Sequence, residues 1–241
     1  MVKTTVVVPE QQPFILSSLS PSPAQRRLAL AVLLALLAAF LITEGLLSTI
    51  QLGRIEAFVP AYATAMFVSD LITAVLLFAQ FSILRSHALL AIASGYLFTA
   101  LMIIPWMLTF PGVFTPGGLL DAGLQTTSWL YTLWHGGFAM FVIAYGLLRD
   151  ADPAKRLWRG SAAAAILLSV AATAAVVSAL TFIVIAGDAL LPRINLDPVH
   201  FSTVWLYIAG CLILFSVLAV IVLWIRRHSA RSSLMAIARE G

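Results

Sequence analysis

Three side chains in this sequence carry a proton-exchanging group inside a long apolar run: Glu44, Asp70 and His135. Carboxylate and imidazole are the types that do acid/base work, bind ions or sense protons. In hydrocarbon each costs at least about 2 to 3 kcal/mol, so such groups face one another, water or a ligand. Thr73 lies three residues beyond Asp70, and Tyr131 lies one helical turn before His135, so each hydroxyl shares a helix face with its titratable neighbour. At about 1.5 Å per residue, Glu44 falls in the outer half of the first apolar run, Asp70 near the middle of the second and His135 in the outer half of the fourth. Groups at similar depth predict a polar pocket open to the outside, formed by Glu44, Asp70, Thr73, Tyr131 and His135, that takes a signal or ligand. The same residues have a structural alternative, in which Asp70 and His135 hydrogen-bond across helices and fix the bundle while Glu44 is hydrated near the surface.

Catalysis finds little support. The spacing of Glu44, Asp70 and His135 matches no triad, and the chain has no His-Glu zinc motif, no Gly-x-Ser-x-Gly elbow, no Walker lysine and no strand-borne nucleotide fingerprint. The single cysteine, Cys211, sits in an apolar run, so neither a disulfide framework nor a thiolate metal site can form. His87, His200 and His228 fall at the ends of apolar runs, where they are solvated. Haem ligation by His135 therefore lacks a second intramembrane histidine. The polar segments are too short for a catalytic domain. No catalytic residue, metal or cofactor is specified, and the expectation is a protein that is not an enzyme.

Those side chains need elements to hold them, and composition says what kind. Apolar residues make up 61% of the chain, charged residues 10%, and mean hydropathy is +1.02, against roughly half and a quarter in soluble domains. The predicted fold is all-α, an integral membrane bundle of six transmembrane helices. The spans are read near Leu28 to Ile50, Phe58 to Leu84, Ala88 to Leu108, Ser128 to Leu148, Ser161 to Ala186 and Ser202 to Ile225. Each meets the roughly 20 residues needed to cross about 30 Å of hydrocarbon. Residues 1–25 read as a flexible cytoplasmic tail, residues 26–226 as the six-span domain and residues 227–241 as a cytoplasmic linker. Ser22, Pro23 and Gln25 resemble a capping box with proline at the first helical position.

Charge tests that count. Of the 14 Lys and Arg, all but Arg54 and Arg193 fall on one side if both termini are cytoplasmic, as the positive-inside rule requires. The net charge of +4 is therefore read as topology, with no nucleic-acid partner; the partner is the lipid bilayer. Trp106, Trp129, Trp158, Trp205 and Trp224 lie near span ends, where an interfacial aromatic belt would sit. There is no fixed-period repeat.

The stretch from Thr109 to Asp150 organises the rest. Pro111 and Gly112 stop the third span, Pro116, Gly117 and Gly118 turn the chain, and Gln125, Thr126, Thr127 and Ser128 offer oxygens that start the fourth. Its loop is expected to cap the pocket. Pro105 is expected to kink span three, and Gly136 and Gly137 to be close-packing points. The alanine-rich fifth span is expected to pack within the bundle.

Four words in this sequence, AFVPAYATAMFVSDLITAVLLFAQF at 57–81, ASGYLFTAL at 93–101, LTFPG at 108–112 and GLQTTSWLYTLWHGGF at 123–138, resemble the MASE4 family. These are bacterial membrane-associated sensor domains found N-terminal to histidine kinases and diguanylate cyclases. The resemblance implies a sensory input domain in a bacterial inner membrane, a kinase or cyclase output domain or partner, and a homodimer by analogy. It assigns no ligand and no functional residues. Family members usually continue into two more spans and an output domain, whereas here Arg226 leads into a short segment in which Leu234, Met235 and Ile237 begin an amphipathic or signalling helix. The expectation is a sensor module without its effector, truncated or acting through a partner. The alternative reading is a small transporter or channel, which would need an inward path that only Gln80, Ser82, Ser94 and Ser169 could line. A haem or quinone membrane protein is a third.

Overall fold

The computed structural model describes residues 22–43, 45, 57–149, 158–197 and 200–240, with side chains to Arg226. Among them are six helices and no strand: α1 (Pro23–Ile42), α2 (Phe58–Leu84), α3 (His87–Thr109), α4 (Thr126–Arg149), α5 (Ala162–Ala186) and α6 (Thr203–Glu240). All six are long and apolar enough to cross a membrane, so the six-span all-helical reading holds.

The chain divides into two compact units, residues 1–54 and 55–241. The first contains α1. Its start follows the predicted capping box: Gln25 N–H donates to Ser22 Oγ at 3.2 Å and Ser22 N–H to Gln25 Oε1 at 2.8 Å, with Pro23 at the first position. Proline loses nothing there, because that N–H has no intrahelical acceptor. Glu44 lies outside the described residues.

In the second unit α3 is the central helix. It packs against α2, α4 and α5, while α6 leans on α4. The sequence allows this centrality through small residues. Ala93, Gly95 and Ala100 are buried, and without a hydrophobic driving force in lipid, helix association depends on such close approach. The α3/α4 contact is a reciprocal interlock. A Cβ on Gly95 would stand 2.7 Å from Phe141 Cβ, and one on Gly137 would stand 2.5 Å from Phe98 Cε1. Each helix thus receives the other's phenylalanine over a glycine, and the two rings lie 5.6 Å apart. Gly137 is the packing point expected; Gly136 would meet only Leu212 Cδ2, at 3.5 Å.

The short α2–α3 turn meets residues 158–161 at the end of the bundle carrying Arg85. That residue adopts a left-handed conformation (φ 54°) between α2 and α3. Its guanidinium donates to Ser82 O at 3.0 Å and to Gly160 O at 2.8 Å, and its carbonyl accepts from Trp158 N–H at 2.7 Å. One residue therefore ties the α2–α3 turn to the chain entering α5. Ser161 starts α5 as an N-cap, accepting from Ala164 N–H at 3.4 Å. The alanine-rich α5 buries Ala162, Ala165, Thr173, Val177 and Val184, a single stripe, with its other alanines largely exposed.

Trp106 departs from the expected belt. It is only 9% exposed and packs between Trp134 and Phe110, at ring-centroid distances of 5.8 and 5.2 Å. Its place near the end of α3 signals the interface, but the helix is central, so its side chain meets protein before lipid. Helix α6 runs 38 residues without a break, about 57 Å at 1.5 Å per residue. The segment expected as a linker is continuous helix with the last span through Glu240.

Candidate functional site

The Pro/Gly-rich loop after α3 is built by its backbone. Gly118 has φ +88°, and a Cβ there would collide with the Thr109 carbonyl. Its carbonyl accepts from Thr115 Oγ1 at 2.7 Å, and Leu119 N–H donates back to Leu108 O at 2.8 Å. The loop then passes through Leu120 and Asp121, both at positive φ, and enters α4.

The oxygens expected to start α4 locally are used across the fold instead. Thr126 Oγ1 accepts from Gly123 N–H at 3.0 Å and donates to Asp188 Oδ1 at 2.8 Å, while Gln125 N–H donates to the same carboxylate oxygen at 3.1 Å. Asp188 lies just past the end of α5 and caps α4 in trans, with a negative group against the positive end of the helix dipole. Gly123 makes the approach possible, since any Cβ there would collide with that carboxylate. Thr127 Oγ1 donates to Thr109 O at 2.8 Å, closing the ends of α3 and α4.

Gln125 forms the centre of this end. Its Oε1 accepts from Ile194 N–H at 2.7 Å and Asn195 N–H at 2.9 Å, and its Nε2 donates to Asn195 O at 2.8 Å. The amide thus pairs with a backbone as a neighbouring strand would. Asn195 returns the contact through Nδ2, which donates to Leu124 O and Ser128 Oγ, both at 2.8 Å. Trp129 Nε1 donates to Pro192 O at 3.1 Å. Residues 194 and 195 are held further by an isolated antiparallel bridge between Asn195 and Phe201 and by Ser202 N–H donating to Ile194 O at 2.7 Å. The two non-helical loops at this end are one hydrogen-bonded latch, leading directly into α6.

Among the expected pocket residues, the structure joins some and separates others. Asp70, half-buried on α2, lies beside Thr99 of α3, a buried residue the sequence did not single out, whose hydroxyl donates to Tyr96 O at 2.8 Å. The Thr73 hydroxyl donates to its own helix at Ser69 O, 2.8 Å away. Tyr131 and His135 do meet: the rings are 3.9 Å apart and His135 Nδ1 lies 2.9 Å from Tyr131 O. A carbonyl only accepts, so Nδ1 carries the proton in this contact and Nε2 of the neutral ring is an acceptor. Asp70 and His135 do not meet: α3 packs against both α2 and α4. A shallow depression lies along α2, lined by Ala57, Pro60, Ala61, Thr64, Ala65, Val68 and Ser69; its Thr64 hydroxyl is already spent on Pro60 O at 2.7 Å.

His135 belongs to a run of rings. Phe110, Trp106, Trp134, His135, Tyr131, Trp205 and Phe201 follow one another at centroid separations between 3.9 and 6.3 Å. The run starts in the core and ends exposed, crossing from α3 through α4 to α6. The described residues hold no group of His, Cys, Asp and Glu able to bind a metal ion.

Through packing and hydrogen bonds this arrangement joins the loop entering α4 to the residues that lead into α6. No curated protein sequence and no solved structure matches the chain. A family model does match, over residues 54–237, and it describes a membrane-associated sensor, integral membrane domain: the chain belongs to the MASE4 family.

Proposed function

We propose that this protein is the sensory input part of a bacterial signalling receptor in the inner membrane, with both termini in the cytoplasm, controlling a histidine kinase or diguanylate cyclase output on its own polypeptide or on a partner. The observation that carries the reading is the path from the latch to α6. Asn195 and Ile194, held by Gln125, lie a few residues before a helix that continues to Glu240 without interruption. A span of about 20 residues would suffice to cross the bilayer, so the remaining turns extend as a rod toward an effector. A stimulus that repacks α4 against α3, or that loosens the latch, changes the position or rotation of that rod. Such a change requires a stimulus with different contacts in the two states. Asp70 with Thr99, and His135 with Tyr131, are the groups through which α2 and α4 would register it.

The test is a receptor in which this chain drives a diguanylate cyclase placed after Gly241. Gln125→Ala, Asp70→Asn and His135→Ala are each expected to change cyclic-dinucleotide output several-fold per receptor in the membrane. Output equal to wild type in all three variants would reduce these residues to structural ties and overturn the coupling path.

A further inference from the structure

The structure assigns to His135, together with Tyr131 and Trp205, a lipid-accessible binding site for a ring-bearing amphiphile that donates an O–H hydrogen bond, the class to which long-chain phenols and quinols belong. The assignment rests on the sensory reading above and names the chemical class of the signal.

The argument begins with the imidazole. His135 lies in the α4 span and is exposed on the bundle surface, nine residues into the helix, about 14 Å from its start. Both ends of the span, Thr126 and Arg149, therefore lie more than two helical turns away. Its Nδ1–H is committed to Tyr131 O, which fixes the tautomer and turns the Nε2 lone pair away from the helix. No described residue donates to Nε2. An acceptor left unpaired in hydrocarbon is costly, so an O–H arriving from the lipid phase is favoured there.

The surroundings select the rest of the molecule. The Tyr131 ring lies over the imidazole at 3.9 Å, tilted by 33°, and Trp134 flanks it at 4.6 Å. Across the α4/α6 seam Trp205 lies 6.3 Å from Tyr131 and stacks on Phe201 at 5.3 Å and 23°. Phe201 is 57% exposed, so the aromatic surface faces outward. An aromatic or quinoid ring extends this surface by offset or edge contacts, whereas a saturated acyl chain gains nothing specific. A ring placed there touches α4 and α6 together, which is the pair whose relation the proposed output reads.

The experiment uses the full chain, with nitrogen-15 label in histidine, in phosphatidylcholine nanodiscs. The probes are 4-dodecylphenol and its methyl ether, which has the same ring and tail but no donor. The phenol is expected to move the His135 Nε2 resonance saturably, with about tenfold tighter apparent binding than the ether, the factor of one hydrogen bond. Trp205→Ala weakens the phenol response, and Phe182→Ala, on the exposed face of α5, leaves it unchanged. Equal responses to phenol and ether, no response to either, or an Nε2 shift that depends on protein density without probe, showing a second copy as the donor, would each overturn the assignment. Any of these outcomes leaves the cyclase-fusion test standing, so the two readings fail separately.

Discussion

At the scale of single residues, the fold's most consequential side chains are amides and one carboxylate at the latched end. Gln125 satisfies two backbone donors and one carbonyl of residues 194 and 195 at once, and Ile194 is fully buried. Gln125→Ala leaves those groups without partners, at about 1 to 3 kcal/mol each. The expected result is a loss of at least about 3 kcal/mol, with faster amide exchange from Ile194 into the first turns of α6 and no change in the α2–α3 hairpin. Uniform acceleration across the chain would show that the latch is not a local unit. Asp188 allows a finer test, because its role as trans cap needs an acceptor more than a charge. Asp188→Asn keeps Oδ1 and is expected to stay within about 1 kcal/mol of wild type, the size of a helix-end charge effect. Asp188→Ala removes the cap and costs about 1 to 2 kcal/mol. Equal thermal shifts for the two variants would contradict that ordering.

At the scale of elements, the α3/α4 interlock sets how far those helices can move. Gly95→Ala drives a methyl against Phe141 Cβ, an atom fixed to the backbone, whereas Gly137→Ala meets the far edge of the Phe98 ring. Overpacking of a tight core costs about 1 to 3 kcal/mol, and the ring can tilt where a Cβ cannot. Gly95→Ala is therefore expected to lower the unfolding midpoint more than Gly137→Ala, and the reverse order would refute the reading of the contact. These elements were largely legible in the sequence. Span limits such as Phe58 and Leu84 coincide with the observed helix, because long apolar runs and helix breakers act locally. The Ser22/Gln25 box was legible for the same reason. The latch was not: Gln125 and Thr126 read as local helix starters, yet their partners lie at Asp188 and Asn195, about 60 to 70 residues away in a loop with no periodic pattern. Trp106 misread as interfacial and the unforeseen neighbour of Asp70, Thr99, have a common cause. Hydropathy gives depth in the membrane, but which face of a uniformly apolar helix meets protein is decided by its neighbours.

At the scale of the whole molecule, the two ends of the bundle differ in a way that predicts its orientation. The end closed by Arg85 and residues 158–161 gathers Arg149, Arg159 and Arg226, while the latched end has Arg193 as the cation among its described loop residues. Lys and Arg are retained on the cytoplasmic side during insertion, so the latched end is expected to face out, with α6 descending to the cytoplasm. Single cysteines in a Cys211→Ser background test this directly. Asp121→Cys and Arg193→Cys are expected to react with a membrane-impermeant maleimide in intact spheroplasts, whereas Arg159→Cys reacts only after the membrane is opened. The inverted pattern would place the latch in the cytoplasm and α6 pointing outward, and an output module after Gly241 would then have no access to cytoplasmic nucleotides. Orientation is thus the condition on which the receptor reading depends: the same helix that makes a transmission rod in one orientation would deliver its signal to the wrong compartment in the other.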